Sequence, residues 1–211
     1  AIDLGLAFLA RSQLEDGRWS LSQFANIDGR PAMSSDTAAT ALAVLAFQGA
    51  GYNHQQYKYQ QVLRNGLQFL LTNQAESGDL YLPQAGTSNQ VVRLYSHAIA
   101  TLALCEAYGM TQDPNLREQV QKAIDFVVAA QHPQRGGWRY TPGRESDTSV
   151  TGWMLMALES GRRANLKVPA KSFDQIRVWL DKAADPDEKH LYRYNPYAVD
   201  NEVQGSGRRA N

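Results

Sequence analysis

Ser35-Asp36-Thr37-Ala38-Ala39-Thr40-Ala41-Leu42-Ala43-Val44-Leu45-Ala46-Phe47 opens on a capping serine and then runs apolar or small on every side. A helix with no polar stripe has to be covered all round, which predicts a place inside a larger helical array. Its alanines let neighbouring backbones come close. The opening pattern returns as Ser96-His97…Thr101 and Ser146-Asp147…Thr151, each ahead of another apolar run. One unit is therefore repeated, and a unit that cannot bury its apolar face alone must stack on copies of itself.

A second element precedes each of these starts. It reads Gly5-Leu6-x-Phe8-Leu9…Gln13…Gly17-Arg18-Trp19, then Gly66-Leu67-x-Phe69-Leu70…Gln74…Leu80-Tyr81, then Ala123-Ile124-x-Phe126-Val127…Gln131…Gly137-Trp138. The helices that carry it have one wet side. From Pro114 onward, Val120, Ala123, Ile124, Val127 and Val128 share a face while Arg117, Glu118, Gln121, Lys122 and Asp125 take the other. Asp113-Pro114 supplies the cap and the first-turn proline.

Half-wet helices alternating with wholly apolar ones predict an all-α chain of about seven helices, arranged as an α/α toroid: a partial α/α barrel of helical hairpins. The units span 1–55, 56–112, 113–168 and 169–195, much longer than the roughly 34 residues of a tetratricopeptide repeat. Residues 196–211 read as a polar tail. Seven helices do not close a ring of six hairpins, so missing sequence or another chain is expected to complete it. The chain also starts inside a helical pattern at Ala1-Ile2 without an initiator Met, which points to a trimmed start. No compartment is assigned.

Of the 211 residues, 43% are hydrophobic, and 21 basic side chains balance 21 acidic ones. That balance, without any long run of Lys or Arg, argues against nucleic acid as a partner. No apolar stretch is long enough to span a bilayer. The lone Cys105 excludes an internal disulfide and any multi-cysteine zinc cage, and its helical setting reads as a small buried hydrophobe.

Gln13…Gly17-x-Trp19 and Gln131…Gly137-Trp138 resemble the QW motifs of squalene and hopene cyclases. The resemblance covers residues 1–195 and implies the toroid shared by terpenoid cyclases and protein prenyltransferases. In character the chain is similar to bacterial proteins that carry these repeats. By that resemblance the axial cavity would take an apolar, isoprenoid-like small molecule or a peptide. If the chain were an enzyme, the implied class is carbocation cyclisation or prenyl transfer. A non-catalytic scaffold that docks proteins on the toroid rim is the alternative.

Cyclases of this family start with an Asp-x-Asp-Asp-Thr segment whose middle acid is the proton donor. Here Arg144-Glu145-Ser146-Asp147-Thr148 and Met33-Ser34-Ser35-Asp36-Thr37 place a serine at the donor position. The prenyltransferase zinc set fails too, because Ala103 stands where an acid should precede Cys105, and no resident metal or cofactor is expected.

Asp36, His97 and Asp147 stay as the sharpest candidates, since equivalent positions on successive inner helices would sit at one level of a ring. Together they could bind a cation or a polar head, or share a proton. Asp147 and Asp36 are the candidate catalytic acids. His97, Tyr95, Trp153 and Tyr140 are the candidate ligand contacts, the rings through their π faces. The plainer expectation is that Ser35, Ser96 and Ser146 are N-caps and that Thr40, Thr101 and Thr151 bond back to helix carbonyls. Trp19, Tyr81 and Trp138 would then pack over helix ends while the Gln amides cap backbone groups.

Overall fold

A computed structural model describes residues 1–24, 34–85, 89–188 and 190–197. Among them are seven α-helices: α1 (Ile2–Arg11), α2 (Asp36–Gly49), α3 (Gln60–Thr72), α4 (Asn89–Thr111), α5 (Pro114–Ala129), α6 (Thr148–Arg163) and α7 (Ala170–Ala183). A short 3-10 turn covers Leu21–Phe24. No sheet forms among the described residues; Trp138 with Asp147, and Ala184 with Tyr192, make isolated antiparallel bridges. The all-α reading holds.

The helices α2, α4 and α6 form a row, each packed on the next, with α1 and α3 against α2, α5 against α4 and α6, and α7 against α6. Small residues make the row tight: Ala41, Ala98, Ala100, Ala103 and Ala157 are fully buried. Gly66 keeps α3 close to α2, because a Cβ there would stand 2.9 Å from Val44 Cγ2. The amphipathic pattern of α5 is realised, with Leu116, Val120, Ala123, Ile124 and Val127 buried and Asp113 Oδ1 capping the Asn115 N–H at 3.0 Å.

One expectation needs correcting. The helix α2 is not covered on every side, for Leu42 is 47% exposed and Ala46 is exposed as well. Met156 on α6 is 44% exposed. Leu42, Ala46 and Met156 thus leave apolar side chains of the row open to solvent.

The repeated Gln and Trp hold one unit to the next. Gln13 Nε2 donates to Gly17 O and to Val62 O of α3, both at 2.9 Å. Gln74 Nε2 bonds Gly78 O and Gln119 O in the same way, and Gln131 Nε2 bonds Gly136 O and Ser172 O. Trp19 Nε1 donates to Leu9 O at 2.8 Å and Trp138 Nε1 to Val127 O at 2.9 Å, which satisfies a carbonyl near each helix end. In the second unit the position belongs to fully buried Leu80, not to Tyr81, since Leu80 follows the same turn closure, Ala75 N–H to Asp79 O.

The fourth unit carries the closure too. Asp185 N–H donates to Leu191 O at 2.9 Å, as Leu14 N–H does to Arg18 O and His132 N–H to Gly137 O. Tyr192 thus occupies the tryptophan position. Within the stretch 196–211, the Tyr197 ring lies 5.9 Å from that of Trp179. The rest of the tail, and Met33, lie outside the described residues.

Candidate functional site

Asp36, His97 and Asp147 are all buried, and each is bound within its own surroundings. Asp36 Oδ2 stands 3.1 Å from Arg18 Nε. Asp147 Oδ1 accepts the Val150 N–H at 2.8 Å and so caps α6 itself, in place of Ser146. His97 lies well inside α4, which begins at Asn89, so Ser96 is no cap; its hydroxyl bonds Val92 O and Ser35 Oγ, both at 2.7 Å. Only Ser35 caps as expected, accepting the Ala38 N–H at 3.2 Å. Among the described residues, no three His, Cys, Asp or Glu side chains gather where they could hold a metal ion.

The threonines of the pattern serve the turns rather than their own helices. Thr40 Oγ1 accepts the Trp19 N–H at 3.0 Å and Thr151 Oγ1 accepts the Trp138 N–H at 3.0 Å. In the middle unit His97 does this work, its Nδ1 accepting the Leu80 N–H at 3.1 Å. Asp79 Oδ1 is 3.4 Å from the same nitrogen, but the nearer Leu80 N–H needs a lone pair there, so Nδ1 carries no proton. The other nitrogen, Nε2–H, faces Ala123 O and Thr101 Oγ1 at 3.2 Å. Both nitrogens of this fully buried ring are therefore engaged by the fold.

Asp147 has a richer setting. Tyr194 OH donates to its Oδ2 at 2.9 Å, and Tyr140 OH lies 3.0 Å from Tyr194 OH. Arg139 Nε is 3.6 Å from Oδ2, while Arg139 NH1 pairs with Glu145 at 3.0 Å. Burial pushes the Asp147 carboxyl above its ordinary value, against the opposing pull of the Val150 N–H, Tyr194 and Arg139. Burial likewise pushes up the phenols of Tyr194 and Tyr95. The loop after α7 aims Tyr194 here by bonding across the start of α6: Thr148 N–H to Tyr194 O, and Thr148 Oγ1 to Arg193 O.

Next to this group lies an apolar cleft of about 400 Å³ between α2 and α4, lined among others by Leu21, Leu42, Val91, Tyr95, Ile99 and Tyr140. The rings of Tyr95 and Tyr140 are 6.4 Å apart. Of the expected ligand contacts, then, Tyr95 and Tyr140 are brought together in one wall. His97 and Trp153 are not in that wall; Trp153 is half-buried against the core. Sequence reasoning missed Tyr194, Arg139 and Leu42. The first two were signalled by the parallel between Trp138-Arg139-Tyr140 and Tyr192-Arg193-Tyr194.

Cys105 is fully buried and its thiol is pushed up by burial, which makes it a packing residue. In comparisons with known proteins, no family model and no curated protein matches the chain.

Proposed function

We propose that the chain binds an apolar, isoprenoid-like small molecule in the cleft between α2 and α4, and that its two helical layers are an arc of an α/α toroid similar to the cyclase and prenyltransferase repeats. The observation that carries this reading is the cleft's wall: side chains such as Leu21, Leu42, Val91 and Ile99, around a volume of about 400 Å³. Ligand pockets commonly fall at that size and are lined mainly by hydrocarbon with a few polar groups at one end. Leu42 in particular stays open to solvent at the site, and a bound apolar molecule would cover it.

Binding is favoured over cyclisation because a cyclase acid has to touch its alkene. Asp147 is 0% exposed and outside the cleft lining, bonded to Val150 N–H and Tyr194, and Asp36 faces Arg18. The test is displacement of an apolar fluorescent probe by farnesol, with Leu42→Arg as the variant that fills the cleft with a charge. Saturable displacement lost in Leu42→Arg is expected; equal binding by both proteins would reject the cleft.

A second reading, the docking of a protein segment, is favoured by Met156, an exposed apolar side chain on the face of α6 outside the cleft lining. A farnesol signal that survives Leu42→Arg but disappears in Met156→Arg would move the site to that face.

A further inference from the structure

Each of α3, α5 and α7 packs on the member of the row that precedes it: α2, α4 and α6 in turn. The helix α1 rests instead on α2, which follows it. Its repeated positions register the difference. Ile2 is 74% exposed, whereas its counterparts Leu63 and Val120 are fully buried, and Phe8 is exposed where Phe69 and Trp179 are buried. The first member of the row shows the same: Ala46 is exposed, while Ala107 and Ala157 are buried. Ala107 lies one turn beyond Ala103, whose carbonyl accepts the Gln48 amide of α2 at 2.9 Å, so this is the side on which a row helix meets the one before it.

Gly5 is an independent sign. Gly66, its counterpart, lets α3 approach α2, since a Cβ there would stand 2.9 Å from Val44 Cγ2; a Cβ on Gly5 would meet nothing within 4 Å. Glycine inside a helix is destabilising where no neighbour needs the room. A unit that closes a stack turns polar side chains outward. The helix α1 does the reverse, with exposed Leu4 where α3 and α5 carry Asn65 and Lys122.

We propose that the exposed faces of α1 and α2 form a docking surface for one further row helix: an alanine-rich helix without a polar stripe, like α2, from a repeat unit set ahead of α1. Gly5 gives it the close approach that Gly66 gives α2. Ile2 and Phe8 cover its side toward α1, and Ala46 meets it from α2. The contacts that α2 already makes with α3 and α4 are thereby continued by one unit, with no new kind of interface. A second copy of this chain fits badly, because α2 and α4 are enclosed by their own neighbours and α6 brings α7 into the place that α1 holds. The surface stands apart from the cleft reading, which concerns the space between α2 and α4.

The test joins a second copy of residues 34–61, α2 with the loop that leads into α3, ahead of Ala1 of the full chain, in the register that the repeat sets. The extended protein is expected to melt several degrees above the chain alone, in a single transition. The same extension carrying Val44→Arg in the added copy should give no gain. Gly5→Leu separates docking from helix propensity. In the chain alone it has open space and replaces a poor helix former, so it should raise the melting temperature; in the extended protein it fills the contact and should lower it. Ala46→Arg in the chain's own α2 should be silent alone and abolish the gain. Equal melting of the two extensions, or a gain that survives both Gly5→Leu and Ala46→Arg, overturns the proposal. A dimer of the unextended chain in sedimentation, dissociated by Phe8→Glu, overturns it as well and gives the face to a second copy.

Discussion

Gln13, in the turn after α1, donates its side-chain amide across to the Val62 carbonyl of α3 at 2.9 Å, a bond that Gln74 makes to Gln119 and Gln131 makes to Ser172. Each Gln thus ties the end of one amphipathic helix to the start of the next. Removing the amide leaves two carbonyls without their donor, and the cost rises with burial, because an exposed carbonyl finds water instead. Gln131 is 7% exposed, whereas Gln13 is half-buried. Gln131→Ala is expected to lose about 2 kcal/mol and Gln13→Ala about 1 kcal/mol in denaturant unfolding. Equal losses would mean that the amides act only within their own turns.

Two glycines with positive φ separate backbone strain from crowding. Gly78 (φ +91°) lies against the next helix, where an added Cβ would collide with the Lys122 carbonyl of α5. Gly51 (φ +87°) has no atom near the place a Cβ would take. Both substitutions carry the left-handed penalty of roughly 1–2 kcal/mol. Only Gly78→Ala also forces a backbone apart, so it should lower the unfolding midpoint clearly more than Gly51→Ala does. A matched pair of small shifts would show that the unit contact is loose.

The repeat was legible because Gln and Trp recur at fixed distances from an apolar helix, and the row α2, α4, α6 follows from helices that lack a wet face. What escaped was set by atoms that only meet in space. The run Ser96-His97 looks like the two helix starts beside it, yet Asn89 to Tyr95 continue the helix upstream and put it in the interior. Tyr81 is the aromatic residue at that point of the second unit, but the turn closure at Asp79 hands the tryptophan's place to Leu80. Asp36, His97 and Asp147 share a register and still do not converge, since each turns to a donor or acceptor of its own surroundings. Tyr194 lies beyond the last helix, where no apolar period marks it.

His97 stands where Asp36 and Asp147 stand in their units, and its ring replaces a threonine hydroxyl as the acceptor for a turn N–H. That arrangement places the ring proton on Nε2. Nitrogen NMR of labelled histidine should show Nδ1 unprotonated and Nε2 protonated in this one ring. The opposite pattern, or a doubly protonated ring, would transfer the bond from Leu80 to Asp79. His97→Leu removes the acceptor without removing bulk and strands the buried Leu80 N–H; a loss of about 1–3 kcal/mol is expected.

Asp113 joins the cap of α5 to a histidine. Its Oδ2 is 3.0 Å from Nε2 of the buried His54, and its Oδ1 accepts the Asn115 N–H. The His54 hydrogen bond first, and the Asn115 N–H second, hold the carboxyl below its usual value. For an acid lowered by folding, the unfolded chain binds the proton more readily, so the stabilisation is present above the ordinary aspartate value of about 3.9 and is lost as pH falls through the lowered one. Asp113→Asn keeps a capping oxygen but cannot ionise. At neutral pH the unmodified protein should therefore melt at a higher temperature than Asp113→Asn, and the gap should close on acidification below about pH 4. The pair His54→Gln and His54→Gln/Asp113→Asn separates the contributions: with the imidazole gone, the Asp113 substitution should cost less and its acid dependence should flatten. A melting gap that stays constant with pH would assign the whole effect to the cap.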